Sequence, residues 1–178
     1  MEMIDMKDKE IKLNLGSGTK NLIEDYINVD FMDDPQIDVK HDLNKPLPYK
    51  DNSVTCIYAS HIIEHFWWKD IDKILIDWFR VLKEGGSVDI WTVDFDKLIY
   101  AYLNHEPKRF QEIMGGINWR LFSKKLPKGN EHHSTFNHKY LALLLEKAGF
   151  KRIMILDETQ YPFRPMHDGI NMGLKAFK

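Results

Sequence analysis

A chain of 178 residues with 43% hydrophobic residues, 29% charged residues and a net charge of -2 has the composition of one ordinary globular domain with a sizeable core. The near-neutral balance excludes the basic face that duplex binding requires, and no apolar run approaches the roughly 20 residues of a membrane span. Cys56 is the only cysteine and the charged start, Met1 to Glu10, lacks a signal-peptide core, so a reducing, cytoplasmic setting is expected, with no intramolecular disulfide.

Strands and helices alternate along the chain. Lys12 to Leu15 reads as a buried strand running into the glycine turn Gly16-Ser17-Gly18. Tyr26 to Val29 is a second strand closed by Asp30, and Asp33-Asp34-Pro35 is a turn. Ile37 to Lys40 is a short third strand leading into His41-Asp42-Leu43, and Ser53 to Ala59 is an apolar, β-branched run suited to a central strand. Trp67, Ile71, Ile74, Leu75, Trp78, Phe79 and Leu82 share one helical face, which predicts a helix stopped by Gly85-Gly86, with Trp67 in the core and Trp68 off the apolar face.

Ser87 to Val93 follows as a strand, and Asp94 is placed to cap a helix through Leu98, Ile99, Tyr102 and Leu103. Residues 105–135 have no clear period and include Gly115-Gly116, Trp119 and a basic loop with Arg120, Lys124, Lys125 and Lys128. Asn137 can cap a helix carrying Leu141, Leu144, Leu145 and Ala148, with Gly149 as its left-handed stop and Phe150 packing back. Arg152 to Leu156 and Gly173 to Phe177 read as two last strands, joined by a loop holding Pro162, Pro165 and His167.

This order predicts a three-layer α/β fold, Rossmann-like, with a mostly parallel sheet and an antiparallel C-terminal edge strand. Such sheets bind ligands beyond the carboxyl ends of their strands. The strand ends here deliver Gly16 to Gly18, Asp30, Asp42, Ser60-His61 and Trp91 to Asp94, so polar and glycine residues collect on one rim.

Six segments carry a resemblance: L-N-L-G-S-G-T-K from Leu13, I-N-V-D from Ile27, H-D-L-N-K-P-L-P from His41, S-H-I-I-E-H from Ser60, R-V-L-K-E-G-G from Arg80 and L-L-E-K-A-G-F from Leu144. Together, in this order and spacing, they resemble the class I S-adenosylmethionine-dependent methyltransferases, in particular the compact group whose acceptors are mostly unassigned. The resemblance implies S-adenosyl-L-methionine as cofactor, with Gly16, Ser17 and Gly18 under its amino acid part and Asn14 in the same first-strand motif. It implies Asp30 on the ribose hydroxyls, Phe31 beside the adenine, Asp42 on the adenine amino group and Leu43 meeting a ring nitrogen through its backbone. Ser60 and His61 are implied near the methionine end.

The family often has a histidine four residues before the phenylalanine that precedes the last large helix, and His132 stands so before Phe136. His65 and His132 are the candidate catalytic bases, with Glu64 considered beside them; the expected acceptor is a small molecule or a sugar-like compound. Neither a nucleic acid nor a membrane is an expected partner, and the exposed aromatics leave a dimer open. Three departures stand out. The usual acidic residue of the first motif is Asn14, the third glycine of G-x-G-x-x-G is absent, and only 12 residues separate Gly18 from Asp30, so the first crossover helix must be short or missing. These departures keep a second expectation open, a non-catalytic binding protein built on the same fold. His61 to His65 also spells H-x-x-E-H, the zinc-hydrolase pattern, which requires both histidines on one helical face; no metal is expected here.

Overall fold

A computed structural model describes residues 10–104, 121–122, 131–157, 159 and 170–178. The basic loop at Arg120, Lys124, Lys125 and Lys128, Gly115-Gly116, Trp119 and the Pro162 to His167 loop lie outside the described residues. Seven strands form one sheet: β1 (Lys12–Leu15), β2 (Ile27–Asp30), β3 (Val39–Lys40), β4 (Val54–Ser60), β5 (Leu82–Val93), β6 (Lys151–Leu156) and β7 (Asn171–Phe177). Their order is β3-β2-β1-β4-β5-β7-β6. The first five pair in parallel; β7 is antiparallel both to β5 and to β6, so the antiparallel strand sits next to the outermost one. The described helices are α1 (Ile71–Val81), α2 (Phe95–Leu103) and α3 (His138–Ala148).

Leu13, Leu15, Val29, Ile57, Ala59, Val88 and Ile90 are fully buried in the parallel strands. Burying each of the larger side chains contributes about 1.5–3 kcal/mol. Ile71, Ile74, Leu75 and Trp78 turn the apolar face of α1 inward, while Leu141, Leu144 and Leu145 do the same for α3. Asn137 caps α3 by accepting from Tyr140 N, and Gly149 ends it at φ +107 while Phe150 N bonds back to the Leu145 carbonyl. Asp94 caps α2 by accepting from Asp96 N.

The structure corrects the helix reading at both ends. α1 begins at Ile71, and Trp67 precedes it at 56% exposure, because a single 3-10 turn (Ile63–His65) and an extended Phe66 interrupt the period. The helix stops at Val81, not at the glycines. Gly85 and Gly86 lie inside β5, where the register slips against Val54/Cys56 and a Cβ on Gly86 would stand 3.0 Å from the Thr55 carbonyl. Of the α2 residues expected on one face, only Leu98 is buried; Ile99, Tyr102 and Leu103 are exposed. Cys56 is half-buried, 3.6 Å from the Tyr26 hydroxyl.

The first crossover contains turns and no helix. A polar clamp holds it instead. Asn14 Nδ2 donates to the Asn21 carbonyl at 2.7 Å and to Asn28 Oδ1 at 2.8 Å, and Asn28 Oδ1 also accepts from Ile23 N at 3.0 Å. Asn28 in turn donates its backbone and side-chain N–H groups to Asp38 Oδ2 at 2.8 and 3.0 Å. Both of the acceptors that Asn14 meets are oxygens, so an amide fits and a carboxylate would face only repulsion. Asn14→Asp is expected to lower unfolding stability by about 1–3 kcal/mol, read from the urea midpoint, because it leaves buried polar groups without partners.

Candidate active site

The parallel register sets the site. Leu15 is level with Val29 on β2 and Ala59 on β4, and Ala59 is level with Ile90 on β5. One residue further on, Gly16, Asp30, Ser60 and Trp91 therefore emerge in a row at the carboxyl ends. The strands that follow β1 and β4 lie on opposite sides of this central pair, β2 on one and β5 on the other, which is the switch point at which such sheets bind ligands.

Gly16 sits at φ +69 with Ile62 packed over it; a Cβ there would lie 2.6 Å from an Ile62 carbon. Gly18 also has positive φ, +51, but has nothing within 4 Å of its Cβ position. Asp30 is 6% exposed, and its carboxylate accepts from Gly18 N at 2.9 Å and from Met32 N at 3.0 Å. Two backbone donors thus fix its direction before any ligand arrives. The Asp30 carbonyl accepts from His41 N at 2.8 Å, which brings Asp42 and buried Leu43 round to the same rim. Asp42 is held below the usual carboxylate range by hydrogen bonds from the Asn44 side chain and backbone. Phe31, next to Asp30, is 49% exposed.

Ser60 and His61 come from the end of β4, where His61 N donates to the Trp91 carbonyl at 2.8 Å. His61 stands at φ +50, the left-handed region that few non-glycine residues adopt. His65 and His132 meet edge to face, ring centroids 4.7 Å apart at 80°. The structure thus gathers Gly16, Ser17, Gly18, Asp30, Phe31, Asp42, Leu43, Ser60 and His61 along the rim, with His65 and His132 together beyond the end of β4. Asn14 is set apart beneath the turn, its amide nitrogen engaged by the crossover.

Glu64 is more central than its spacing alone suggests. It is 3% exposed, its Oε1 lies 2.9 Å from His61 Nδ1, and its Oε2 accepts from Thr92 Oγ1 at 2.9 Å. Burial pushes its carboxyl up, but the His61 hydrogen bond and the charges of His61, His65 and His132 outweigh that and hold it down at about 2. His65 is pushed below its ordinary value, first by burial and then by neighbouring His132, against the opposing pull of Glu64. The three-residue step from His61 to Glu64 was a legible signal; Thr92, 28 residues further along the chain, had none.

The H-x-x-E-H segment is not an α-helix: His61 closes a strand and His65 closes the 3-10 turn, so the two do not share an α-helical face. Among the described residues no group of three His, Cys, Asp or Glu side chains is arranged to hold a metal ion.

A methyltransferase-domain family model matches residues 13–90, the stretch from β1 to the middle of β5. No curated protein matches the chain in sequence. Among solved structures, a SAM-dependent methyltransferase from Archaeoglobus fulgidus superposes with TM-score 0.62 at 16% identity, covering 95% of this chain and 86% of that one. A Thermotoga maritima SAM-dependent methyltransferase, described as a possible histamine N-methyltransferase, gives 0.60 at 18% identity over 97% of this chain and 84% of that one. Human N-acetylserotonin methyltransferase in complex with SAM gives 0.60 at 16% identity over 94% of this chain and 47% of its own. The fold is the Rossmann-like fold of these enzymes. Residues 13–90 thus match a methyltransferase domain, and the fold is shared with SAM-dependent methyltransferases, which supports S-adenosylmethionine as the cofactor.

The residues present fit that cofactor. The space over Gly18 is open to 4 Å, and Ser17 Oγ is buried with no hydrogen-bond partner among the described residues. A ligand lying along the turn has room and a hydroxyl to meet.

Two measurements follow from this geometry. Gly16→Ala forces a Cβ into Ile62 and is expected to cost about 1–3 kcal/mol in a thermal melt. Gly18→Ala meets only backbone strain, about 1–2 kcal/mol or less, so the Gly16 variant should melt lower. Acidification is expected to weaken the fold in two windows. Below about 6.5 the unfolded chain takes up a proton that His65 resists in the fold, and between about 4.5 and 2 it takes up one that Glu64 resists. In both windows the unfolded state binds more protons, so stability falls as pH falls. Glu64→Gln should flatten the lower window and deepen the upper one, because His65 then loses the opposing pull of Glu64, checked by urea midpoints across pH.

Proposed function

We propose that the chain moves a methyl group from S-adenosylmethionine to a small-molecule, sugar-like acceptor, in the cytoplasm, as one domain over residues 1–178. The observation that carries this reading is the level ending of β1, β2 and β4, with a glycine turn, a backbone-anchored carboxylate and an imidazole on one open rim. In this reading Gly16, Ser17 and Gly18 pass under the amino acid part of the cofactor, and Asp30 accepts from the ribose hydroxyls. Phe31 lies beside the adenine, Asp42 accepts from its amino group, and the Leu43 backbone meets a ring nitrogen. Ser60 and His61 border the methionine end. The bound cofactor supplies a methyl group already activated on a sulfonium. The protein aligns the acceptor and excludes water.

Most of the 105–135 segment, expected to be substrate-facing, lies outside the described residues; His65 and His132 serve the acceptor. Trp67, 56% exposed and stacked on His133 at 4.4 Å and 8°, offers a flat apolar face beside them, which suits a sugar ring. Two of the similar structures are named for small-molecule acceptors, histamine and N-acetylserotonin, which supports the size of the acceptor. With a net charge of -2, and no helix among the described residues long and apolar enough to cross a membrane, the reading assigns neither a nucleic acid nor a membrane as partner.

Calorimetry with S-adenosylmethionine and S-adenosylhomocysteine tests the reading directly, since a scaffold without a cofactor site gives no binding heat. Asp30→Ala is expected to weaken binding by about 1.5–3 kcal/mol, roughly 10- to 150-fold in Kd. Unchanged affinity in a folded variant removes Asp30 from the site.

A further inference from the structure

The ends of β4 and β5 hold more ionisable chemistry than cofactor binding needs. Glu64 is enclosed, yet both carboxylate oxygens are engaged, one by His61 and the other by Thr92. An ion so enclosed is costly unless its neighbours compensate it. The same residue's main-chain oxygen accepts from His133 N at 2.8 Å and from Ser134 N at 3.2 Å. The segment carrying His132 is thereby fastened to the end of β4. Its other end is fastened to the end of β5, where Phe136 is buried, bridges to Asp94 and accepts from Phe95 N at 2.8 Å. Immediately before the first of these anchors, His132 meets His65 edge to face. Glu64, Thr92, His132 and Ser134 supply the polar lining of a small cavity; Phe95 and Leu98 are part of its apolar wall.

We propose that the methylated group is a hydroxyl, that His132 takes its proton, and that Glu64 is the positioning residue that holds the imidazole cluster for that transfer. The inference rests on the methyltransferase reading above. A hydroxyl is a weak nucleophile that must shed its proton as the new bond forms, and a placed base then contributes about 10²–10⁴-fold. The O–H bond breaks with its proton going to His132, the O–CH3 bond forms, and the C–S bond breaks with its electron pair left on sulfur. A neutral amine needs no such base. A site built for an ammonium would turn a carboxylate oxygen towards it, whereas both oxygens of Glu64 already serve His61 and Thr92.

The test uses the whole chain with methyl-deuterated S-adenosylmethionine and a panel of methyl glycosides, phenols and primary amines, with products read by mass spectrometry. The label should appear as an ether on a hydroxyl compound. His132→Ala should lower kcat by ~100-fold while the calorimetric affinity for the cofactor stays unchanged; Glu64→Ala, which also frees His61, should lower kcat to a similar extent, and Glu64→Gln should recover most of that loss. Spectra of protein labelled with ¹⁵N-histidine give a readout apart from turnover: His61 should carry its proton on Nδ1 in the wild type and in Glu64→Gln, and lose that preference in Glu64→Ala. Should Glu64→Ala fail to fold, Thr92→Val loosens the same carboxylate and should lower kcat in the same sense. Label on nitrogen, no labelled hydroxyl compound despite a bound cofactor, or full kcat in a folded Glu64→Ala or Thr92→Val variant overturns the proposal and leaves the methyltransferase reading standing. Absence of cofactor binding in the wild type overturns both.

Discussion

The parallel pairing of β1 with β4 is the constraint on which the rest depends. It fixes Leu15 against Ala59, and so makes the glycine turn and the Ser60-His61 corner leave the sheet at one height. Ile62 then closes over Gly16, a contact that only a residue without a Cβ permits. A one-residue slip in this register would send the side chains of β4 to the opposite face and break up the row. Core packing guards against that slip: Leu13, Leu15, Ile57 and Ala59 are all fully buried, so the register and the site are stabilised by the same hydrophobic burial.

Where a full βαβ unit would lay a helix, this chain substitutes hydrogen bonds. Asn14, Asn28 and Asp38 anchor the turns between β1 and β2 through side chains. The departure at position 14 is thereby explained. The irregular crossover leaves the Asn21 carbonyl in need of a donor, and the Asn14 amide supplies it. The rim beyond it keeps its shape through the backbone N–H groups of Gly18 and Met32, which meet Asp30 without any help from a helix.

Much of this was legible from the chain alone because the signals were local. Period-two and period-3.6 runs located the strands and helices, and Asn137, Gly149 and Asp94 marked ends that the structure keeps. The failures were also local signals, extended one turn too far. Trp67 fits the periodicity of α1, but the 3-10 turn before it breaks the phase, and the glycine pair that looked like a helix stop is a bulge pressed against β4. The Glu64–Thr92 bond and the docking of residues 133 and 134 on the Glu64 carbonyl could not be read, since they join segments whose meeting is decided by the sheet.

The left-handed backbone at His61 acts as a filter on mutation. Glycine, asparagine, aspartate and histidine visit that conformation at modest cost, whereas a β-branched residue would strain it. Drift at this corner is therefore channelled toward a few polar replacements, each with different proton chemistry, while valine, isoleucine and threonine are kept out by the main chain itself. A survey of tolerated substitutions at this single position would thus register backbone geometry before it registered any demand of the reaction.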